Sequence, residues 1–308
     1  MGVPELSDAV CAPNRAFLGR EHERNERKTW AVIALCAAMT VLELAGGGLF
    51  GSLALVADGL HMATHAAALL IAAVAYTYAR RHANDPSFAF GTGKLGDLAG
   101  FSSAIVLAMI ALLIGYEAIS RLLQPIAIDF DVAIPTAVLG LGVNLASAWL
   151  LGDGDRGAVQ QQDHGLAHRD HNMRAAFLHV VADVAVSVLA ILGLLAGKFL
   201  GWSFMDPVMG IVGMLVIASW SYGLVRASGA VLLDMTPGRE MAARIRAEIE
   251  IDGDRLHDLR VWRLGPGHLA AIVAVTTDRP REPDFYRARL VKFDLLSHVT
   301  VEIRSAAP

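Results

Sequence analysis

Six separate stretches of this chain are each long and apolar enough to cross a lipid bilayer, and that repetition limits the fold more than any other feature. They cover residues 30–50, 52–78, 98–119, 132–151, 175–197 and 207–225, and the fourth and sixth hold no charged side chain. A bilayer core about 30 Å thick needs ~20 helical residues to span it. Within it only helices or closed barrels satisfy the backbone. One such stretch could be the buried helix of a soluble domain, but six cannot all be covered by the polar remainder, residues 236–308. Composition agrees, since 55% of the residues are hydrophobic and 18% charged, against roughly 25% charged in soluble domains. The 26 basic and 30 acidic residues leave a net charge of -4, with no basic surplus to neutralise phosphates, which excludes a nucleic-acid binder. Two cysteines, Cys11 and Cys36, cannot make a disulfide framework.

Orientation follows from lysine and arginine near the span ends, which cytoplasmic loops retain. Arg15, Arg20, Arg24, Arg27 and Lys28 precede the first span; Arg80, Arg81 and Lys94 follow the second; Arg156, Arg169 and Arg174 follow the fourth. The opposite side offers little beyond Arg121 and Lys198. Both termini are therefore expected in the cytoplasm. Residues 1–28 form a polar segment without the apolar core of a signal peptide. The expected fold is an all-α transmembrane domain of six helices over 29–226, with a cytoplasmic loop at 152–172, and a small α+β domain over 236–308. In that tail the pattern predicts a helix to about 251, strands at 256–264 and 268–277 around Gly265-Pro266-Gly267, a helix at 283–296 and a strand at 299–303. The αββαβ order suits helices on one face of a sheet.

Polar side chains inside a span are costly, so each is a functional hypothesis. The second span carries Asp58, His61 and His65; the fifth carries His179 and Asp183. Residues four apart share a helical face. Two such pairs on two helices supply the four ligands of a tetrahedral site, and counting at 1.5 Å per residue brings both pairs near the membrane midplane. A single buried histidine is more often a hydrogen-bonded core residue; two spaced pairs at matched depth favour a metal site. Three imidazoles and one carboxylate suit Zn²⁺, Co²⁺, Ni²⁺ or Cd²⁺ and disfavour Mg²⁺ and Ca²⁺. Imidazole binds metal only when neutral, with an ordinary pKa of about 6.5, so protons compete for the same nitrogens. Glu43 and Asn144 are candidates to line the pathway, whereas Asp97 and Glu117 lie near span ends, within reach of water. In the loop, His164, His168 and His171 could capture a cation before delivery, or belong to a solvated linker. In the tail, His257, Asp258, His268 and His298 are candidates for a second metal site or ordinary surface positions.

The run Ser52-Leu53-Ala54-Leu55-Val56-Ala57-Asp58-Gly59-Leu60-His61, the segment Phe90-Gly91-Thr92-Gly93-Lys94, His179-Val180-Val181-Ala182-Asp183 and Leu233-Asp234-Met235-Thr236-Pro237 together resemble the cation diffusion facilitator family over almost the whole chain. The resemblance implies a homodimeric antiporter that exports divalent metal against protons, with His61, His65, His179 and Asp183 as transport site, and a tail similar to the family's ferredoxin-like, metallochaperone-like domain. It implies no enzyme and no catalytic cofactor; the substrates are the metal ion and protons. The setting is the lipid bilayer, and the excess of arginine over lysine suggests a bacterial inner membrane. Zinc-type members commonly present His-x-x-x-Asp in both helices, so His65 is a departure, similar to the branch linked to cobalt and other divalent-metal efflux. Two readings from other classes remain: a membrane metalloenzyme of the hydroxylase or desaturase kind, whose histidine clusters lie at the membrane surface, and a metal-sensing scaffold using the tail alone.

Overall fold

The computed structural model describes residues 22–50, 53–124, 130–152, 171–202, 204–279 and 281–305. Six long helices come first: α1 (His22–Phe50), α2 (Leu53–Arg81), α3 (Leu95–Leu123), α4 (Phe130–Gly152), α5 (His171–Leu200) and α6 (Met205–Leu232). Among the described residues, four of them, α3 to α6, are long and apolar enough to cross a membrane. Their outer faces carry large side chains with nothing over them, such as Leu112, Leu113 and Tyr116 on α3 and Trp149 on α4. Such a surface fits a lipid surround rather than water.

The helices run antiparallel in the pairs α1–α2, α3–α6 and α4–α5, where polar ties between their ends fix which ends are neighbours. At the end facing the tail, Glu26 of α1 accepts hydrogen bonds from Thr77 at 2.8 Å and Arg80 at 3.0 Å on α2. Lys94, just before α3, pairs with Asp234, just after α6. At the far end, Arg121 of α3 pairs with Asp206 of α6 at 3.5 Å and Lys198 of α5 with Asp131 of α4 at 2.7 Å. Close approach between helices depends on small residues: a Cβ at Gly210 would lie 3.1 Å from Ala118, and one at Gly193 only 2.8 Å from the Asp206 backbone. α1 starts well before the expected 30 because Asn25, Glu26 and Thr29 are buried, Glu26 against α2. α5 likewise starts at His171 rather than 175.

The tail follows the expected order, with α7 (Arg239–Ile249), β1 (Arg255–Gly265), β2 (His268–Thr277), α8 (Pro283–Leu290) and β3 (Leu296–Ser305). β1 and β2 are antiparallel, joined by Pro266-Gly267, where Gly267 has φ of 80°. That value favours glycine after proline in a tight turn. β2 and β3 are parallel, so α8 is the crossover between them. Alternate strand positions point to opposite faces. Leu256, Val261, Val273, Val275 and Val301 thus meet Ile245 and Ile249 of α7 and Tyr286 and Leu290 of α8. α8 ends six residues earlier than the pattern suggested. Phe293 turns inward to the core, its N–H bonding the Leu290 carbonyl at 3.0 Å, and β3 starts three residues early as a result.

Candidate metal centre

α5 packs against each of the other five long helices, and its sequence explains how. Ala175, Ala176, Val180 and Ala182 are buried, and such short side chains let neighbours close in on all sides. Val180 and Ala176 lie in a cluster with Val32 and Cys36 of α1, Leu69 and Ala72 of α2 and Leu151 of α4. Ala182 faces Leu107 and Ala111 of α3 and Ile217 of α6.

On this central helix His179 is 2% and Asp183 8% exposed, with Nε2 3.9 Å from Oδ2. Two donors on one tetrahedral zinc at about 2.0–2.2 Å lie roughly 3.4 Å apart. A small adjustment therefore lets this pair grip one ion. The carboxylate supplies the negative charge that a divalent cation needs in a low-dielectric interior. Cys36 of α1 is buried in the cluster that holds Ala176 and Val180, and Ser147 of α4 is buried as well. Asn144, one turn before Ser147, is 6% exposed. Asp97 is buried in the first turn of α3, and Glu117 pairs with Arg121.

The other half of the expected set sits on α2. The shared cluster of Leu69 and Ala72 with Ala176 and Val180 brings position 65 to within about one turn of the level of Asp183, at 1.5 Å per residue. The side chains of Asp58, His61 and His65 on α2, Glu43 on α1 and His171 at the start of α5 lie outside the described part of the structure. His164 and His168 lie outside the described residues altogether. Among the described residues no three metal-ligating side chains gather in one place.

The tail candidates divide into two groups. His268 Nδ1 lies 2.7 Å from Ser297 Oγ, and His298 is next to it on β3, in register with Ala270. His257 and Asp258 are at the other end of β1, where Asp258 pairs with Arg260 at 3.0 Å. The register runs from Asp258↔Ala274 to Gly265↔His268, a separation of about 20 Å at strand rise. The fold of the tail does not bring these four together.

Sequence reasoning missed Glu26 and Ser147. The signal for Glu26 was available, since Asn25, Thr29, Val32 and Cys36 recur at the spacing of one buried helical stripe, beginning within the polar segment 1–28.

Residues 29–233 match the family model described as the cation efflux transmembrane domain. The chain is 34% identical over 249 residues to the zinc transporter ZitB of Escherichia coli, covering 79% of this chain and 75% of that protein. It is 31% identical to the metal cation efflux system protein CzcD of Cupriavidus metallidurans over 94% of this chain and 90% of the other. It is 29% identical to the cadmium, cobalt and zinc/H(+)-K(+) antiporter of Bacillus subtilis over 94% and 93%.

Proposed function

The chain belongs to the cation efflux family, whose members are transporters and not enzymes, and on that premise we propose that it exchanges a divalent transition metal for protons across a bacterial inner membrane. The observation that carries this reading is the buried His179–Asp183 pair on the helix that packs against every other long helix. In this reading all six long helices span the bilayer, both termini are cytoplasmic, and the working unit is a homodimer with the tail as its cytoplasmic partner surface.

The transport site consists of His61 and His65 from α2 and His179 and Asp183 from α5. Metal binds when the imidazoles are neutral and leaves when they are protonated, so a site open first to one side and then to the other couples the two fluxes. Asp58, Glu43 and Asn144 are assigned to the pathway, and His164, His168 and His171 to capture at low metal concentration. Three nitrogens and one oxygen suit Co²⁺ as well as Zn²⁺, and relatives named for zinc, cadmium and cobalt accord with a broad choice.

The test is uptake into proteoliposomes under an imposed pH gradient, with Co²⁺, Ni²⁺, Zn²⁺, Cd²⁺ and Mn²⁺ offered in turn to the parent and to His65→Asp. Metal movement that dissipates the gradient is expected, with the cobalt-to-zinc rate ratio falling roughly tenfold in the variant, since ligand type and geometry decide selectivity. No movement of any metal would end the transport reading; an unchanged ratio would remove His65 from selectivity.

A further inference from the structure

The two halves of α4 are built differently. The half toward the tail buries Asn144, Ser147 and Leu151, and Leu151 belongs to the cluster shared by α1, α2 and α5. Among the described residues of the far half, from Phe130 to Val143, none is buried. The far half is also weak as a helix. Pro135 lies inside it and has no N–H to give to the helical ladder. Gly140 and Gly142 follow, glycine being the poorest helix former after proline, and a Cβ at Gly142 would meet only open space. α5 changes at the same level: Ala176, His179, Val180 and Asp183 are buried, whereas none of the residues 184–192 is. Beyond Asp183, therefore, the two facing stretches are thinly packed.

At the far tip the two helices meet again. A Cβ at Gly197 would lie 2.9 Å from the Phe130 ring, so only glycine admits that ring, and Lys198 Nζ stands 2.7 Å from Asp131 Oδ1. The α5 side of this contact is stiff. Gly201, with φ of 70°, ends the helix by giving its N–H to the Gly197 carbonyl at 3.1 Å, while Trp202 bonds Ala196 at 3.4 Å. Gly193 brings α5 close to the α6 backbone. The tip contact also sets the register of the antiparallel pair. Fourteen residues along α4 from Phe130 stands Asn144, and fourteen back along α5 from Gly197 stands Asp183. About 21 Å of helix thus separates the tip from the level of the buried carboxylate.

We propose that the far half of α4 is a gate on the side of the membrane away from the tail. It turns about Gly140 and Gly142, is latched to α5 by Phe130 on Gly197 and Asp131 on Lys198, and on release opens a way to Asp183. Hinges of this kind are a few residues that absorb a change of backbone dihedral. Asp131 is 86% exposed, and an ion pair so open to water contributes little, so the latch closes the passage without locking it. The gating role rests on the transport reading; the hinge and the latch do not.

The experiment has two arms on the full-length chain. In the first, Asp131→Cys and Lys198→Cys are combined, and the protein in proteoliposomes is bridged by a short bis-methanethiosulfonate. Bridging should slow Zn²⁺ flux about tenfold or more and leave Zn²⁺ binding in detergent unchanged. Reduction should restore the rate, and neither single-cysteine control should be slowed by the reagent. In the second arm, hydrogen exchange in detergent is read at residues 136–143 and 145–151, with β2 as a folding control. Phe130→Ala should raise exchange at 136–143 about fivefold and leave 145–151 and β2 protected, while Phe130→Tyr, which keeps the ring, should match the parent. Undiminished flux in the bridged protein would overturn the gate. Unaltered exchange at 136–143 in Phe130→Ala, or an equal rise at 145–151, would overturn the latch and hinge. A parent that moves no metal but shows the expected exchange would leave the hinge standing and remove the transport reading.

Discussion

Between the long helices the buried positions are mostly small, with Ala72, Ala104, Ala111, Ala118, Ala175 and Ala182 all at 5% exposure or less, while the large apolar residues face outward. In the tail the pattern is reversed: Ile245, Ile249, Leu269, Val273, Tyr286 and Leu290 fill the interior, and arginine, lysine and glutamate cover the outside. The reason lies in the solvent. Lipid tails are as apolar as leucine, so helices in a bilayer gain little by hiding leucine and much by close backbone approach. Water penalises every exposed apolar ångström, so the tail must bury its large side chains. The same contrast explains where charge sits. In the tail, Arg281 joins Asp254 and Asp252, a structural knot. Between the helices the buried polar pair is His179 and Asp183, 3.9 Å apart on one helix, to which the proposed function assigns the metal.

The largest test of this contrast removes the charge. Asp183→Ala should lower metal flux roughly 100-fold or more, since even partners of metal ligands cost 10–100-fold, while the helical circular dichroism of the detergent-solubilised protein stays as in the parent. Retained flux would move the site elsewhere and leave the carboxylate as packing.

A pair of opposite substitutions sharpens the packing side. Ile245→Ala in α7 should cost about 3 kcal/mol by leaving a cavity in the tail core. Gly193→Ala adds one methyl where α5 meets the backbone of α6 at 2.8 Å and should cost about 1–3 kcal/mol by forcing the helices apart. Exchange measured separately over α7–β3 and over α5–α6 should place each loss in its own region. If both variants loosened both regions, the two would not be separate packing units.

The smallest expected effect concerns acid. Burial pushes the Asp254 carboxyl up, but hydrogen bonds from Thr277 and Tyr286 and the Arg281 charge outweigh it and hold the value below the ordinary range. A carboxylate with a depressed folded-state pKa stabilises fully above its unfolded value, about 3.9. That contribution is lost as pH falls through the lower folded value. The tail's melting temperature should therefore hold from pH 7 to about 5 and fall below about 4, and Asp254→Asn should flatten part of that fall. Its fluorescence melt followed against pH checks this; an Asp254→Asn profile matching the parent would assign acid sensitivity to other groups.

Much of this architecture was legible in the sequence because it rests on period and length. The runs at 98–119 and 207–225 became α3 and α6, and the alternation at 256–264 and 268–277 became β1 and β2, because neighbouring residues decide those outcomes. The end of α8 was missed because Phe293 obeys a core assembled from strands far away in sequence. The tie between Lys94 and Asp234, 140 residues apart, left no local mark, as either residue alone reads as an exposed charge. Likewise His257 and His298 appeared as members of one tail cluster by residue type, and only the antiparallel register separated them. The His179–Asp183 pair was readable for the opposite reason, since a four-residue spacing on one helix contains its own geometry.

The position of α5 at the middle of the six has a consequence in time as well as in space. A ribosome delivers α1 to α4 before α5, so four of its five neighbours exist when the helix bearing His179 and Asp183 emerges. Until then the nascent chain holds, of the four proposed ligands, only His61 and His65 of α2. On the proposed assignment a half-synthesised chain would have no finished passage through which ions or protons could leak, and the membrane would acquire a working site only when the fifth helix enters among the others.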